Sequence, residues 1–373
     1  MQPALIGCSR PLPLPDAPPI VDRVSCGAFT VSDWDLLKQA YLRIGLNEDG
    51  TIRPGSLFEL HGKLHEGVCS GAVDIHKSGG PFLIWHRAFL FFHERALNHS
   101  LLEDGTIDTD ILRLPYWEWD SVPGDFISVP QQYTEPGGVL YRKRPYKPVN
   151  ANKAKGPALQ NMLGQANFVD GQNAIGSPHR DIHLAFFPEM MGDLMKSAFD
   201  PLFYVHHSEV DRLFEKWKLL HTGAWPTIAD TASFYDQEGR LGCYCLGDFM
   251  NIARLGYRND WYPDIEIDGA DEAKIVLVLD GLTDPTPHDW AFVADNQPGL
   301  GGLSPTAPLI GYGAPPIGMA MTKMSAKLPV GTTLAFLLQT AAPKSVWAAT
   351  INEKGEVIRV DEVKNFVVEK NLP

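Results

Sequence analysis

Phe82-Leu83-Ile84-Trp85-His86-Arg87-Ala88-Phe89-Leu90-Phe91-Phe92-His93-Glu94-Arg95 is a mostly apolar run that carries a histidine and an arginine in its first turns. The run predicts a helix over about 82–103. An imidazole inside such a helix needs a partner, since a buried polar group left unsatisfied costs ~1–3 kcal/mol. His61, His65 and His76 lie just upstream, and His179, His183, His206 and His207 lie further on. Eight of the twelve histidines therefore fall into two clusters, read here as the two halves of one buried dinuclear metal site.

The flanking sequence places these histidines on helices. Ser32 is expected to cap a helix through about Leu46, with Trp34, Leu37, Tyr41 and Ile44 at core spacing. After the turn Asn47-Glu48-Asp49-Gly50, a second helix over about 55–66 sets His61 and His65 four apart, on one face. A Gly-rich loop, Cys69 to Gly80, leads into the central helix, and Leu114 to Asp120 is a compact aromatic segment. Residues 121–175, rich in Pro, Gly, Lys and Asn, read as long loops. A helix is expected to start near Pro178, a favourable first-turn residue, with His179 and His183 on one face. Another runs from about Asp200-Pro201 to His221.

The texture changes after about Trp261. Residues 274–279, 333–338, 346–351 and 366–368 read as strands between Gly/Pro turns. The predicted fold is a mainly α domain over 1–262, with a Pro-rich arm over 1–30, long loops and a four-helix bundle around the metal. A β-rich domain over 263–373 follows it.

Composition limits the partners. A length of 373 residues favours two domains. The formal charge is 32 − 45 = −13, which argues against nucleic acid or an anionic membrane as the main partner. No apolar run reaches the ~18 residues needed to span a bilayer. The N-terminus shows no signal-peptide pattern, so a signal has been removed or none existed. Of the five cysteines, four lie in loop-like contexts and can make two disulfides, which weakly favours secretion or another oxidising compartment. Asn98-His99-Ser100 matches a glycosylation sequon but falls on the predicted central helix.

The histidine pattern selects among metal chemistries. His61/His65 and His179/His183 share the form His-x-x-x-His, which lets each pair bind one ion. Zinc proteases need Glu after the first histidine, where this chain has Gly62 and Arg180. Di-iron carboxylate bundles need Glu-x-x-His pairs with further glutamates, and none accompanies these clusters. An open, all-imidazole site suits copper or zinc, and redox copper best.

Two longer signatures resemble those of the type 3 copper proteins: tyrosinases, catechol oxidases and molluscan haemocyanins. The first is His76, five residues, then Phe82-Leu83-Ile84-Trp85-His86-Arg87, with Leu90 and Glu94 beyond. The second is Asp200-Pro201-Leu202-Phe203-Tyr204-Val205-His206-His207, with Asp211 four residues on, and His179/His183 stands upstream. The resemblance covers about residues 30–220 and makes 1–262 a dicopper catalytic domain. It implies two copper ions per chain that share one dioxygen and oxidise o-diphenols to o-quinones, with weak or uncertain monophenol hydroxylation. Full tyrosinase activity and o-aminophenol or methoxyphenol oxidation are alternatives, as is a haemocyanin-like oxygen carrier. The implied partners are therefore O2 and phenolic small molecules, and the oligomeric state stays open.

Residue by residue, the resemblance assigns His76 and His86 to copper A, and His179, His183 and His207 to copper B. His65-Glu66-Gly67-Val68-Cys69 resembles the plant pattern in which the histidine is the third A ligand and the cysteine is cross-linked to the next, here a Cys69–His76 thioether. His61-Gly62 resembles a His-Gly ligand of bacterial and fungal members, so His61 is the alternative to His65. His206, Arg87, Asp211 and Glu94 are expected to surround and orient ligands, and His93 to be core. Phe82, Trp85, Phe89, Phe91, Phe92, Phe203 and Tyr204 are expected to exclude water from the site.

Arg180, Leu184, Leu194 and Ile175 are expected to control the substrate. Ile175 stands where plant-type members carry a Glu that helps deprotonate a phenol, with Asp170 or Asp181 as candidate substitutes. Leu194 stands at the plant gate Phe, and Arg180 can steer acidic phenols. The C-terminal domain loosely resembles one that covers the site in latent members. Within it, Met319, Met321 and Met324 form a candidate copper-delivery strip.

Overall fold

The computed structural model describes residues 10–16, 18–19, 21–69, 74–77, 79–109, 111–119, 128–144, 157–220, 228–250 and 252–259, and beyond these the backbone of the strands 264–267, 274–278, 332–335, 346–351, 357–363 and 366–368. Two compact units are present. The first holds the described residues within 10–14, 23–217 and 228–250. The second holds those from 252 onward and the short stretches within 15–22 and 218–220.

Among the described residues the first unit is helical. After strand β1 (Val21–Arg23), helix α1 (Val31–Ile44) begins earlier than Ser32 predicts. Thr30 is the cap instead, because Thr30 and Asp33 close a capping box in which each side chain satisfies the other's backbone N–H. Helix α2 (Leu57–Val68) is capped by Ser56, and α3 (Phe82–Leu102) is the predicted central helix. Pro81 gives α3 no side-chain cap, so a residue distant in sequence supplies one: Leu83 N–H donates to Gln172 Oε1 at 3.1 Å.

The loop reading of 121–175 holds only in part. Helix α4 (Pro157–Leu163) and the first turns of α5 (Phe168–Leu184) lie within it. Asn167 caps α5 by accepting from Asp170 N–H at 2.9 Å, ten residues before the start that Pro178 indicates. Pro178 sits inside the helix. Gly171 makes room for Trp217: a Cβ there would lie 2.8 Å from its indole nitrogen, which donates to Gln165 O at 2.8 Å. Tertiary packing thus overrides the proline signal. Helix α6 (Leu202–Leu220) closes the helical set.

The α3 helix is the core. Seventeen of its 21 residues are buried, as fits a helix with neighbours on every side. Its far face meets a hairpin of β2 (Thr231–Tyr235) and β3 (Leu241–Cys245), in which Phe92 stacks on Phe234 at 5.2 Å and meets Tyr244 at 4.7 Å. Phe91 and Phe92 therefore pack against this hairpin and Phe249, not around the histidines. Gly239, at φ 78°, makes the hairpin turn.

A buried ion network ties α3 and α6 together. Arg23 bridges Glu94 of α3 (2.8 Å) and Asp211 of α6 (2.9 Å), and Arg87 of α3 pairs with Asp211 (2.5 Å) and Glu215 (2.6 Å). The oxygen of Glu94 that Arg23 engages also accepts from Leu114 N–H. Arg87, Asp211 and Glu94 thus fix helix to helix.

The cysteines allow less cross-linking than two disulfides. Cys26, Cys69 and Cys245 are free thiols, while Cys243 is disulfide-bonded, so at most one bridge forms from five cysteines. Asn98 is buried, donates to Glu94 O and Leu112 O and accepts from Leu112 N–H, which removes the sequon as a glycan site. No helix among the described residues is long and apolar enough to cross a membrane.

In the second unit β4 (Tyr257–Asn259) precedes β5 (Asp264–Ile267), β6 (Lys274–Val278), β7 (Thr332–Ala335), β8 (Val346–Ile351), β9 (Val357–Val363) and β10 (Phe366–Val368). These form two antiparallel three-stranded sheets, ordered β10-β5-β7 and β6-β8-β9, with Ile267 opposite Phe366 and Val276 opposite Ala348. The C-terminal region is β-rich, as read from sequence. Strands β5, only four residues long, and β9, in which Arg359, Asp361 and Glu362 break the apolar run, fall outside that reading. Met319 to Met324, and any side chain of this region that might cover the site, lie outside the described residues.

Candidate metal centre

Helix α2, the loop after it and helix α3 bring one group of imidazoles together. Ring nitrogens of His65, His76 and His86 lie within 4.8 Å of one another. His86 Nδ1 donates to Phe82 O at 2.8 Å, so its Nε2 carries the lone pair, and that atom faces His65 Nε2 at 3.5 Å. His76 comes from the loop and is half-buried. Its Nδ1 lies 3.4 Å from Asp74 Oδ1, which also accepts from His76 N–H at 2.9 Å. The carboxylate therefore orients the ring and leaves Nε2 free. Asp74 went unnoticed in the sequence, although an Asp two residues before a loop histidine is a legible local signal.

His61 takes no part in that group. One turn before His65, its Nδ1 shares a hydrogen bond with His93 Nδ1 at 2.8 Å, and His93 Nε2 bonds to Tyr41 OH at 3.2 Å. Tyr204 stacks on His93 at 3.6 Å. Cys69 places its Sγ 3.3 Å from His65 Nε2, and burial together with Asp74 raises its thiol pKa.

Helices α5 and α6 supply the other group: His179, His183, His206 and His207, all buried, with ring nitrogens within 4.8 Å of one another. His183 Nδ1 donates to Met191 O at 2.8 Å, leaving Nε2 aimed at His179 Nε2, 3.1 Å away. Sequence reasoning put His206 around the site, whereas its two ring nitrogens have no hydrogen-bond partner and join this cluster. It stacks on His179 at 5.3 Å and packs near Trp119 and Trp117. His207 also has both nitrogens unpartnered, and stacks on His86 at 4.1 Å and 8°. His207 thus faces the first group, as does His179, stacked on His76 at 5.8 Å.

Electrostatics keep these rings neutral. Burial lowers the pKa of every one of them: His183 is pushed down to about 4, and His65, His76, His86, His179, His206 and His207 fall from the ordinary value of 6.5. The neighbouring imidazoles add repulsion in most of them. Neutral imidazoles whose lone pairs converge, several of them with no protein partner, fit a soft or borderline cation in each half. The rings of Phe82, Trp85, Phe89 and Phe203 pack directly on the histidines and exclude water.

A cavity of about 560 Å³ opens onto both groups and is lined by His76, Lys77, Phe82, Gln172, His179, Arg180 and Leu194, among others. Leu194 and Arg180 stand where the sequence reading places substrate control. Ile175 is buried, and the described lining includes neither it nor Leu184. Asp170 is engaged at the α5 cap, hydrogen-bonded to Asn167. Gln172, Lys77 and Arg23 were missed because nothing local marks them.

A helical bundle with two facing, buried histidine clusters defines the class: a protein built around a metal site. A family profile described as the common central domain of tyrosinase matches residues 55–168 and 146–220. The latent form of chloroplastic polyphenol oxidase from Prunus armeniaca is 28% identical over 288 residues, covering 59% of this chain and 45% of that protein. Chloroplastic catechol oxidase B of Solanum tuberosum is 27% identical over 264 residues, covering 54% and 42%. The fold is similar to that of latent apple tyrosinase, with a TM-score of 0.56 at 23% identity, covering 67% of this chain and 64% of that one. The chain belongs to the tyrosinase family of type 3 copper proteins. It spans less than half the length of these curated relatives. The family domain and the buried histidines imply a copper site.

Proposed function

We propose that this protein oxidises o-diphenols to o-quinones while reducing O2 to water, using two copper ions. The observation that carries the reading is the facing of His86 and His207 at 4.1 Å, which joins two neutral imidazole clusters into one centre. His65, His76 and His86 would hold copper A, and His179, His183 and His207 copper B, with His206 beside them. His207 is preferred to His206 because it is the ring turned toward the first cluster. The copper pair would supply the redox chemistry, passing two electrons from each diphenol to dioxygen.

The chain's own residues prepare that chemistry. Carbonyl oxygens of Phe82 and Met191 fix His86 and His183 in the tautomer with Nε2 free, and Asp74 holds the half-buried His76. Phe82, 4.7 Å from His179 and 5.3 Å from His76, offers an apolar face to a phenol ring inside the cavity. The described lining of the cavity holds no carboxylate to take a phenol proton, which supports diphenols over monophenols as substrates. Residues 1–262 are assigned to the catalytic domain and 263–373 to a β-rich domain after it.

The test is an oxygen electrode with copper-loaded protein, 4-methylcatechol and 4-methylphenol. Steady oxygen uptake with the catechol, and much slower uptake with the phenol, is the expected result. Reversible oxygenation without turnover would instead indicate an oxygen carrier. Retention of fewer than two coppers per chain would refute the site.

A further inference from the structure

We propose that the cavity selects catechols whose ring substituent ends in a carboxylate, held at the mouth by Lys77 and Arg180. This rests on the oxidase reading above and names its substrate class. The first observation is a local reversal of charge. The chain carries 45 acidic against 32 basic residues, yet the described cavity lining has two cations and no carboxylate. A concave, low-dielectric wall of one sign focuses the field and draws in ligands of the other.

The second observation is placement. Each cation directly follows the histidine that its half of the centre contributes to the lining: Lys77 after His76, and Arg180 after His179. A substrate ring against Phe82, with its hydroxyls toward those histidines, would share the cavity with both cations, which are exposed and so within reach of its far substituent. On α5, Asn173, Gly176, Ser177 and Arg180 follow one another at helical spacing along the lining. A Cβ on Gly176 would meet nothing within 4 Å, so a side chain of the substrate has space beside the guanidinium. Arg180 is exposed and has no ion-pair partner among the described residues. Its planar fork matches a carboxylate in two parallel hydrogen bonds, whereas a lysine adds a point charge.

The experiment compares three catechols that differ in tail charge: 3-(3,4-dihydroxyphenyl)propionate, 4-methylcatechol and dopamine. The copper-loaded full chain should show a kcat/KM for the acid about tenfold above 4-methylcatechol at about 0.01 M salt, with dopamine lowest. That ratio should shrink toward one at about 1 M salt, where the Debye length is ~3 Å. Arg180→Gln should lower the ratio, and Arg180→Glu combined with Lys77→Glu should invert the order. A second readout needs no turnover: tryptophan fluorescence of metal-free protein titrated with 4-hydroxybenzoate or 4-hydroxybenzyl alcohol should show tighter binding of the acid, lost in the double variant. Equal kcat/KM for the three catechols, or a preference for the acid that survives in the double variant, overturns the proposal. Oxygen uptake with none of the three by protein holding two coppers overturns the oxidase reading instead, and the fluorescence titration then decides the cation pair alone.

Discussion

His61 and His65 stand one turn apart on the same helix and have opposite surroundings. His65 faces His76 and His86, while His61 Nδ1 bonds to His93, so one helical turn separates a member of the first histidine group from a residue outside it. His65→Ala should lower copper from two to about one per chain, whereas His61→Ala should keep two; metal analysis after dialysis checks both. His61 also gives a pH prediction. Burial pushes its pKa down to about 4, so between about pH 6.5 and 4 the unfolded chain takes up a proton that the folded one refuses. Stability of the metal-free protein is then full above pH 6.5 and falls as pH drops, by roughly 3 kcal/mol from this residue alone. Urea unfolding of wild type and His61→Gln across that range measures it. Identical slopes would refute the assignment. Asp74 makes a smaller claim: Asp74→Asn should weaken copper binding ~10–100-fold, read by competition with a chelator.

Between elements, the buried arginines and two glycines decide how the helices meet. Arg23 comes from the N-terminal strand and reaches both α3 and α6, eight residues beyond His86 and four beyond His207. Arg23→Met should cost ~3–5 kcal/mol, the usual loss when one member of a buried ion pair is removed. A loss below about 1 kcal/mol in urea unfolding would show that Arg87 alone secures Asp211. Gly62 lies under the ring of Phe199, where a Cβ would come within 2.4 Å of two ring carbons. In sequence, that glycine served to reject a zinc-protease motif; in the structure it lets the turn before α6 pack on α2. Helices α2, α3 and α6 were legible because their apolar spacing is strong. The start of α5 was not, since Pro178 is a better local start signal than Asn167 until Trp217 packs against Gly171.

For the whole molecule, metal binding and folding should be linked, because the two halves of the centre lie about a hundred residues apart in the chain. A ligand that binds only the folded state stabilises it by about 2.7 kcal/mol at a hundred times its Kd. Copper-free protein should therefore melt below the copper-loaded form, and chelation should reproduce the lower Tm in calorimetry. Equal melting temperatures would mean that the clusters hold no metal.

By itself the sequence determined the helical bundle, the β-rich C-terminal region and the two groups of histidines, because helical periodicity and short motifs are local properties that packing reinforces. Only tertiary structure decided that His65 and not His61 joins the first group, that His206 turns into the second, and that Arg23, Gln172 and Lys77 stand where they do. These depend on which side chains from distant segments meet, and no spacing along the chain encodes that.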